Sequence, residues 1–347
     1  MSQFRLALVA TVGLGLATPA FAQDPAPPPP PVTPASPQAG EYPKVTFGVQ
    51  SFLQYSALLH EADGYNAFEV TRGYLNVEAR LSDRLRFRFT PDVRPTTDAS
   101  LENNLTLRLE YASLYATVAD DVTLMFGLHE TPWLSYEESI NRYRVLGPFF
   151  SERLGLVPGP TDLGVSVRAT RGNLDVHGGV YNGEGYGRAE IDRYKSVEGR
   201  VSYRLMGDDS VQVSGFYQYG WYARDRPRNV AIVMGSYEQP HGFVTAQYLW
   251  ATDNPFIARD VQRRGLSIFG EVRQGPTGWA GIAGLDLFDP DRSDDGDSTR
   301  RMVFGGAHWR RVGQARLGIV VSLEQSYRSA TSQLTDRRLL AQTTIEF

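Results

Sequence analysis

Arginines at alternate positions are the first feature of this sequence that could do chemistry. In Arg84–Arg94, RLRFRFTPDVR, the side chains of Arg84, Arg86, Arg88, Thr90, Asp92 and Arg94 fall on one side of a period-two pattern, with Leu85, Phe87, Phe89 and Val93 on the other. The same parity in other alternating segments adds Arg72, Arg80, Arg108, Arg168, Arg200 and Arg204, against fewer acids, chiefly Glu78, Asp92, Glu110 and Glu198. A guanidinium is permanently charged and planar, and its fork of donors matches phosphate and carboxylate oxygens. A row of them along a low-dielectric wall draws anions and repels cations. The competing use is structural, with arginines and acids of adjacent strands neutralising one another. Sequence alone leaves both open.

A second group lies in Glu130–Pro160, ETPWLSYEESINRYRVLGPFFSERLGLVPGP, the longest interruption between alternating segments. Its middle, Trp133–Arg153, has helix-like spacing and mixed charge, with Glu137, Glu138 and Glu152 against Arg142, Arg144 and Arg153. Trp133, Tyr136, Tyr143, Phe149 and Phe150 need something to pack against, which argues for an ordered loop with a function.

Catalytic and cofactor chemistry finds little support. His60, His129, His177, His241 and His308 have no metal-ligand spacing, and His129-Glu130 lacks the second histidine of a zincin. With no cysteine, thiol catalysis, disulfides and thiolate metal sites are excluded. Serine, histidine and aspartate are present without any arrangement that marks a triad. Tyr181-Asn182-Gly183-Glu184-Gly185-Tyr186 reads as a tight polar loop and not a nucleotide cradle. Asp289, Asp291, Asp294, Asp295 and Asp297 match no calcium-loop spacing and read as a solvated acidic tip. No catalytic residue, metal, cofactor or nucleic-acid partner is expected.

The elements that would position these groups are strands. Alternation predicts them near 44–59, 67–82, 84–95, 104–119, 121–131, 161–171, 173–182, 192–206, 209–223, 228–239, 241–252, 262–274, 277–288, 299–312, 314–327 and 336–347, about sixteen in all. Tight turns such as Ser82-Asp83-Arg84, Ala119-Asp120-Asp121, Arg171-Gly172-Asn173 and Val312-Gly313-Gln314 alternate with longer polar loops such as 96–103, 183–191, 253–260 and 289–297. Short turns at one end and long loops at the other are the pattern of a transmembrane antiparallel β-barrel. On this reading 130–160 is the third external loop, folded into the bore. The mean hydropathy of -0.31 is too polar for a helical membrane protein and suits a barrel with a wet interior. Val211, Val213, Tyr217, Tyr219 and Trp221 share one face of a later strand, with Gln212, Ser214 and Gln218 on the other. Phe68, Val70, Trp279 and Phe304 break parity, which points to a bulge or a protein contact.

Both ends of the chain point to the compartment. Met1–Arg5, the apolar Leu6–Leu16 and Ala20-Phe21-Ala22 read as a signal peptide over 1–22, cleaved after Ala22. Gln23 stands where a lipoprotein needs cysteine, so no lipid anchor is expected. Residues 23–42 are a proline-rich flexible periplasmic tail, and 43–347 are the barrel. The chain closes on LLAQTTIEF, an alternating segment whose terminal aromatic, Phe347, looks like the signal that barrel-assembly machinery reads.

Phe68–Asp92 (FEVTRGYLNVEARLSDRLRFRFTPD), FGLHETPW before the long loop, GPTDLGVSV after it and VYNGEGY together resemble the phosphate-selective porin O/P family of bacterial outer membranes. The resemblance spans Phe68 to Tyr219. It implies a sixteen-stranded, trimeric outer-membrane barrel whose third loop narrows a passive pore for small hydrophilic solutes. Where the family carries a basic residue before the loop, this chain has His129 or Glu130, and its loop is close to charge-balanced. The pore-lining, anion-attracting set is then Arg84, Arg86, Arg88, Arg94, Arg108, Arg168, Arg200 and Arg204. The constriction loop contributes Glu137, Glu138, Arg142, Arg144 and Arg153. The alternative is a barrel plugged by its own loop, serving as a structural element, adhesin or receptor.

Overall fold

β-Branched and aromatic side chains on one face of a segment and polar ones on the other suit a sheet wetted on a single side. The computed structural model describes residues 42–347 except 61–63, 97–104, 191–192, 206–209, 224–225, 255–258, 276–277, 295–297 and 329–332. The signal peptide expected over 1–22, the tail up to Glu41, and Asp295 and Asp297 of the acidic tip lie outside the described residues.

The strands are β1 (Lys44–Leu58), β2 (Asn66–Arg80), β3 (Leu85–Pro95), β4 (Leu105–Ala119), β5 (Val122–Glu130), β6 (Thr161–Arg171), β7 (Leu174–Tyr181) and β8 (Ser196–Arg204). They continue as β9 (Val211–Ala223), β10 (Arg226–Gln239), β11 (Gly242–Asp253), β12 (Val261–Arg273), β13 (Trp279–Asp289), β14 (Thr299–Val312), β15 (Ala315–Arg328) and β16 (Gln333–Glu346). Successive strands pair antiparallel and β1 pairs with β16, which closes a sixteen-stranded barrel. Closure removes the sheet edges that would otherwise leave backbone groups unpaired. All sixteen expected strands are present, and the largest boundary difference is at β8, which starts at Ser196 and not 192. The alternation of short and long connections fails once, because only 224–225 separate β9 from β10.

Two bulges correct the parity. Phe52 faces Arg72 while Leu53 faces Val70, so Thr71 is an extra residue in β2, and Phe68 and Val70 point outward with Leu75. In β4, Glu110 is the extra residue between Leu109 and Tyr111, and both Glu110 and Tyr111 face inward. Trp279 and Phe304 need no bulge. Both are exposed on the outer face, and their inward neighbours Ala280 and Val303 are apolar too.

The outer face carries an apolar band that includes Phe47, Phe68, Leu107, Phe126, Val165, Val201 and Ile319. Tyr219, Trp221 and Trp250 lie toward the long-loop rim, and Tyr203, Tyr237 and Trp279 toward the short-turn rim. Inside, the barrel is two-sided. β1–β8 present mostly polar and charged groups, whereas β9–β16 present Phe216, Val230, Ile232, Met234, Phe243, Leu249, Ile282, Val303, Ala307 and Val320, all buried. Strand length is also uneven, from 15 residues in β1, β2 and β4 to 8 in β7.

Gly127, on the inner face of β5, has φ +104, and a Cβ there would sit 2.4 Å from the Ala112 carbonyl oxygen. Only glycine fits that backbone. Gly127→Ala is expected to cost ~1–3 kcal/mol. The check is a lower temperature for loss of the folded band in heat-modifiability gels.

Candidate constriction site

Residues 131–160 leave β5 and turn back inside the barrel as α1 (Leu134–Ile140), a 3-10 turn (Arg144–Leu146) and α2 (Phe150–Arg153). The neck is closed by Thr131, whose N–H donates to the Pro160 carbonyl at 2.9 Å and whose hydroxyl donates to the Gly159 carbonyl at 3.1 Å. The loop's apolar side packs on the β9–β16 wall. Trp133 meets Phe216 with ring centroids 5.5 Å apart, and Tyr143 lies among Phe243, Phe269 and Trp309 at 5.5–6.3 Å. Trp133, Leu134, Leu156 and Val157 are at most 1 % exposed. Each such side chain contributes about 1.5–3 kcal/mol to docking, so the loop is a fixed part of the interior and not a loose flap.

Polar contacts fix its position. Gln247 donates to Glu137 at 2.6 Å, Arg200 Nε donates to the Pro132 carbonyl at 2.9 Å, and Tyr143 donates to Glu271. Arg142 pairs with Glu238 of β10 and Arg153 with Asp286 of β13. Arg144 pairs with Glu152 within the loop, in two parallel contacts, one of them 2.9 Å. Burial pushes the Glu137 carboxyl up to about 7, only partly offset by the Gln247 amide. Glu138 is raised by burial as well, with Arg144, Arg72 and Arg88 pulling the other way. For Glu152, by contrast, burial is outweighed by Arg144, and its carboxyl is held below the usual range.

The opposite wall, β2–β4, is basic. Arg88 lies 3.5 Å over the Tyr111 ring and donates to Asn76 at 3.2 Å, with no carboxylate in an ion pair to it among the described residues. Arg72 donates to Tyr74 at 2.6 Å and to Tyr186 at 3.3 Å, again without one. Arg86 pairs with Glu78 at 3.0 Å, Arg108 pairs with Asp92 at 2.5 Å, and among the described residues Arg94 makes no ion pair. Glu138 and Glu152 therefore stand on the loop within electrostatic reach of Arg72, and Arg88 acts on Glu138 as well. A cavity of about 710 Å³ opens toward the long-loop end, lined by Arg72, Arg94, Arg108, Glu152 and Tyr186 among others. A second, of about 500 Å³, lies toward the short-turn end and includes Arg142, Arg204 and Glu238.

The structure separates the expected residues into groups. Arg72, Arg86, Arg88, Arg94 and Arg108 share one wall. Arg84 lies exposed in the β2–β3 turn, away from that wall. Arg168 is paired with Asp175 near the short-turn end. Arg200 faces inward as parity requires, but the loop covers it to 2 % exposure, and it is bonded to Asp175, Ser202 and Pro132. Glu137, Arg142 and Arg153 likewise point from the loop into the wall, so their role is anchoring, and Arg144 is spent on Glu152. Tyr186 was missed by sequence reading. Phe347 is exposed, and its backbone pairs with Val49 at 2.8 and 3.0 Å.

Among the described residues the nearest approach to a catalytic grouping is Ser166, hydrogen-bonded to His129 at 2.8 Å and His177 at 3.1 Å. All three are at most 4 % exposed. Asp291 of the acidic tip pairs with the exposed Arg259, which holds its carboxyl down at about 2. Among the described residues no group of three or more histidine or acidic side chains is placed to hold a metal.

No family model matches the sequence, and no curated protein matches it either. Solved structures do match in fold. The anion-selective porin from Comamonas acidovorans aligns at 12% identity and TM-score 0.62, over 88% of this chain and 99% of that one. OmpT, an outer membrane protein of Vibrio cholerae in its trimer form, aligns at 10% identity and TM-score 0.61, over 88% and 100%. The outer membrane channel DcaP of Acinetobacter baumannii aligns at 12% and 0.59, over 88% and 97%. The closed barrel is thus shared along nearly the whole length of each.

Proposed function

We propose that this chain is a porin of a bacterial outer membrane, a water-filled channel for passive diffusion of small hydrophilic solutes that prefers anions, phosphate among them. One observation carries the reading: the loop is committed to the β9–β16 wall, which leaves the arginines of β2–β4 facing its free edge, between two polar cavities. Among the described residues Arg72, Arg88 and Arg94 are in no ion pair, and although Glu110 of the same wall acts on Arg72 and Arg88, the guanidiniums outnumber the acids there, so net positive charge acts on the bore. The outer apolar band with aromatic rims supports insertion in lipid. On this proposal the leader is removed after Ala22, Phe347 is read by the assembly machinery, and the barrel works as a homotrimer, as the resemblance to trimeric porins suggests. Enzymatic activity is not part of it: Ser166 is buried beyond the reach of a substrate.

Purified protein in planar bilayers is expected to give stable stepwise conductance, with a reversal potential of anion-selective sign in a KCl gradient. A cation-selective sign would end the anion preference. Folded protein with no conductance would mean that the loop seals the bore, and would favour a structural, adhesin or receptor role.

A further inference from the structure

Tyr186 lies on the β7–β8 connection, whose residues 183–189 make a second inward excursion beside the long loop. Its N–H donates to the Thr161 carbonyl at 3.0 Å, and a Cβ on Gly159 would lie 3.4 Å from its ring, so the segment is seated against the base of the 131–160 loop. From there the side chain reaches β2–β4. Its hydroxyl oxygen accepts from Arg108 at 2.7 Å and from Arg72 at 3.3 Å, and its hydroxyl lies 3.2 Å from Asp92, to which it donates. The Arg108 guanidinium lies 4.4 Å from the ring centre. A neutral phenol oxygen thus stands where two guanidiniums converge. Such a place suits an anionic oxygen better, because charge-assisted hydrogen bonds are roughly twice as strong as those to a neutral group.

The surrounding cavity carries excess positive charge. Arg108 is balanced by Asp92 and Glu152 by Arg144, and Glu184 and Arg228 add one charge of each sign. Arg72, Arg94 and Arg188 remain, from two strands and the connection, around about 710 Å³ of space. Glu110, Glu138 and Glu152 act on Arg72 from β4 and the loop, but among the described residues none of them forms an ion pair with it. Guanidiniums held together in this way favour a ligand of more than one negative charge.

We propose that Tyr186 is a specificity-determining residue: its phenol oxygen occupies, between Arg72 and Arg108, the place that an oxygen of a multivalent oxyanion takes on binding. This rests on the channel function proposed above and adds a competitor built into the binding site. Removing the hydroxyl frees both guanidiniums while Asp92 still orients Arg108, so the anion no longer has to displace the phenol.

The test compares wild type and Tyr186→Phe in phosphatidylcholine bilayers at fixed KCl, with citrate and inorganic phosphate as blockers. Half-blocking concentrations are expected to fall about 5–10-fold in the variant, the equivalent of one competing hydrogen bond. A fall with citrate alone assigns the site to organic polyanions, and a fall with phosphate alone to the inorganic ion. Unchanged or raised values for both overturn the proposal. Isothermal titration of the same anions into the detergent-solubilised barrel reads the site without any current, so a failure of the channel reading is told apart from a failure of this one.

Discussion

Replacing Arg72 and Arg88 together by glutamate is expected to turn the selectivity over, from anions to cations. Both guanidiniums lie on the wall opposite the loop, and among the described residues neither is in an ion pair. Reversing them changes the local charge by four units and leaves Glu138 on the loop edge without two of the cations that act on it. At about 10 Å in water each unit charge is worth roughly 0.4 kcal/mol to a passing ion, before screening. Four such changes shift the anion-to-cation permeability ratio on the order of 10-fold or more. The reversal potential in a tenfold KCl gradient reads this directly. Arg84→Glu is the control, because that side chain sits exposed in a turn away from the wall and should leave the potential unmoved. If the double variant folds and keeps the wild-type sign, the solute path does not run along β2–β4.

The second large effect concerns pH. Glu137 of α1 is 2 % exposed, accepts from Gln247, and has a carboxyl raised by burial to about 7. Facing it are Glu152 and Arg144 of the same loop and Asp286 of β13. When the loop undocks, Glu137 returns to about 4.5, so the docked state binds the proton more tightly. The stabilisation from that proton is complete below 4.5 and is lost as pH rises through about 7, beyond which the curve is flat. At about 1.4 kcal/mol per pH unit the loss is on the order of 3 kcal/mol. Glu137→Gln removes this dependence. Hydrogen exchange over 134–158, compared between wild type and variant at one pH, should be alike at pH 4.5 and on the order of 100-fold slower in the variant at pH 8. A difference that does not grow with pH would show that Glu137 is not protonated in the docked loop.

Strand number, closure and the inward loop were legible because alternation with short turns has few other physical causes. What parity cannot show is which part of the inner face the loop then covers. Arg200 and Arg88 are equivalent by parity, yet one lies under Pro132 and the other faces the bore. The sequence did hold a usable signal. Val230-Ala231-Ile232-Val233-Met234 is apolar without a break, as expected of a strand buried on both faces, and it marks the wall against which the loop docks. Tyr186 carried no such signal. Its partners are 78 to 114 residues away, and only the closed sheet brings them together.

The unequal strands have a mechanical consequence for whatever surrounds the barrel. Eight residues at about 3.3 Å each, tilted by about 40°, rise only about 20 Å, whereas fifteen rise about 38 Å. In the membrane proposed for the barrel, an acyl layer of about 25–30 Å would therefore be matched unevenly around the circumference. Beside β7 such leaflets would have to pinch inward or give way to a neighbouring protein, and this thin sector is where the footprint would depart most from a cylinder.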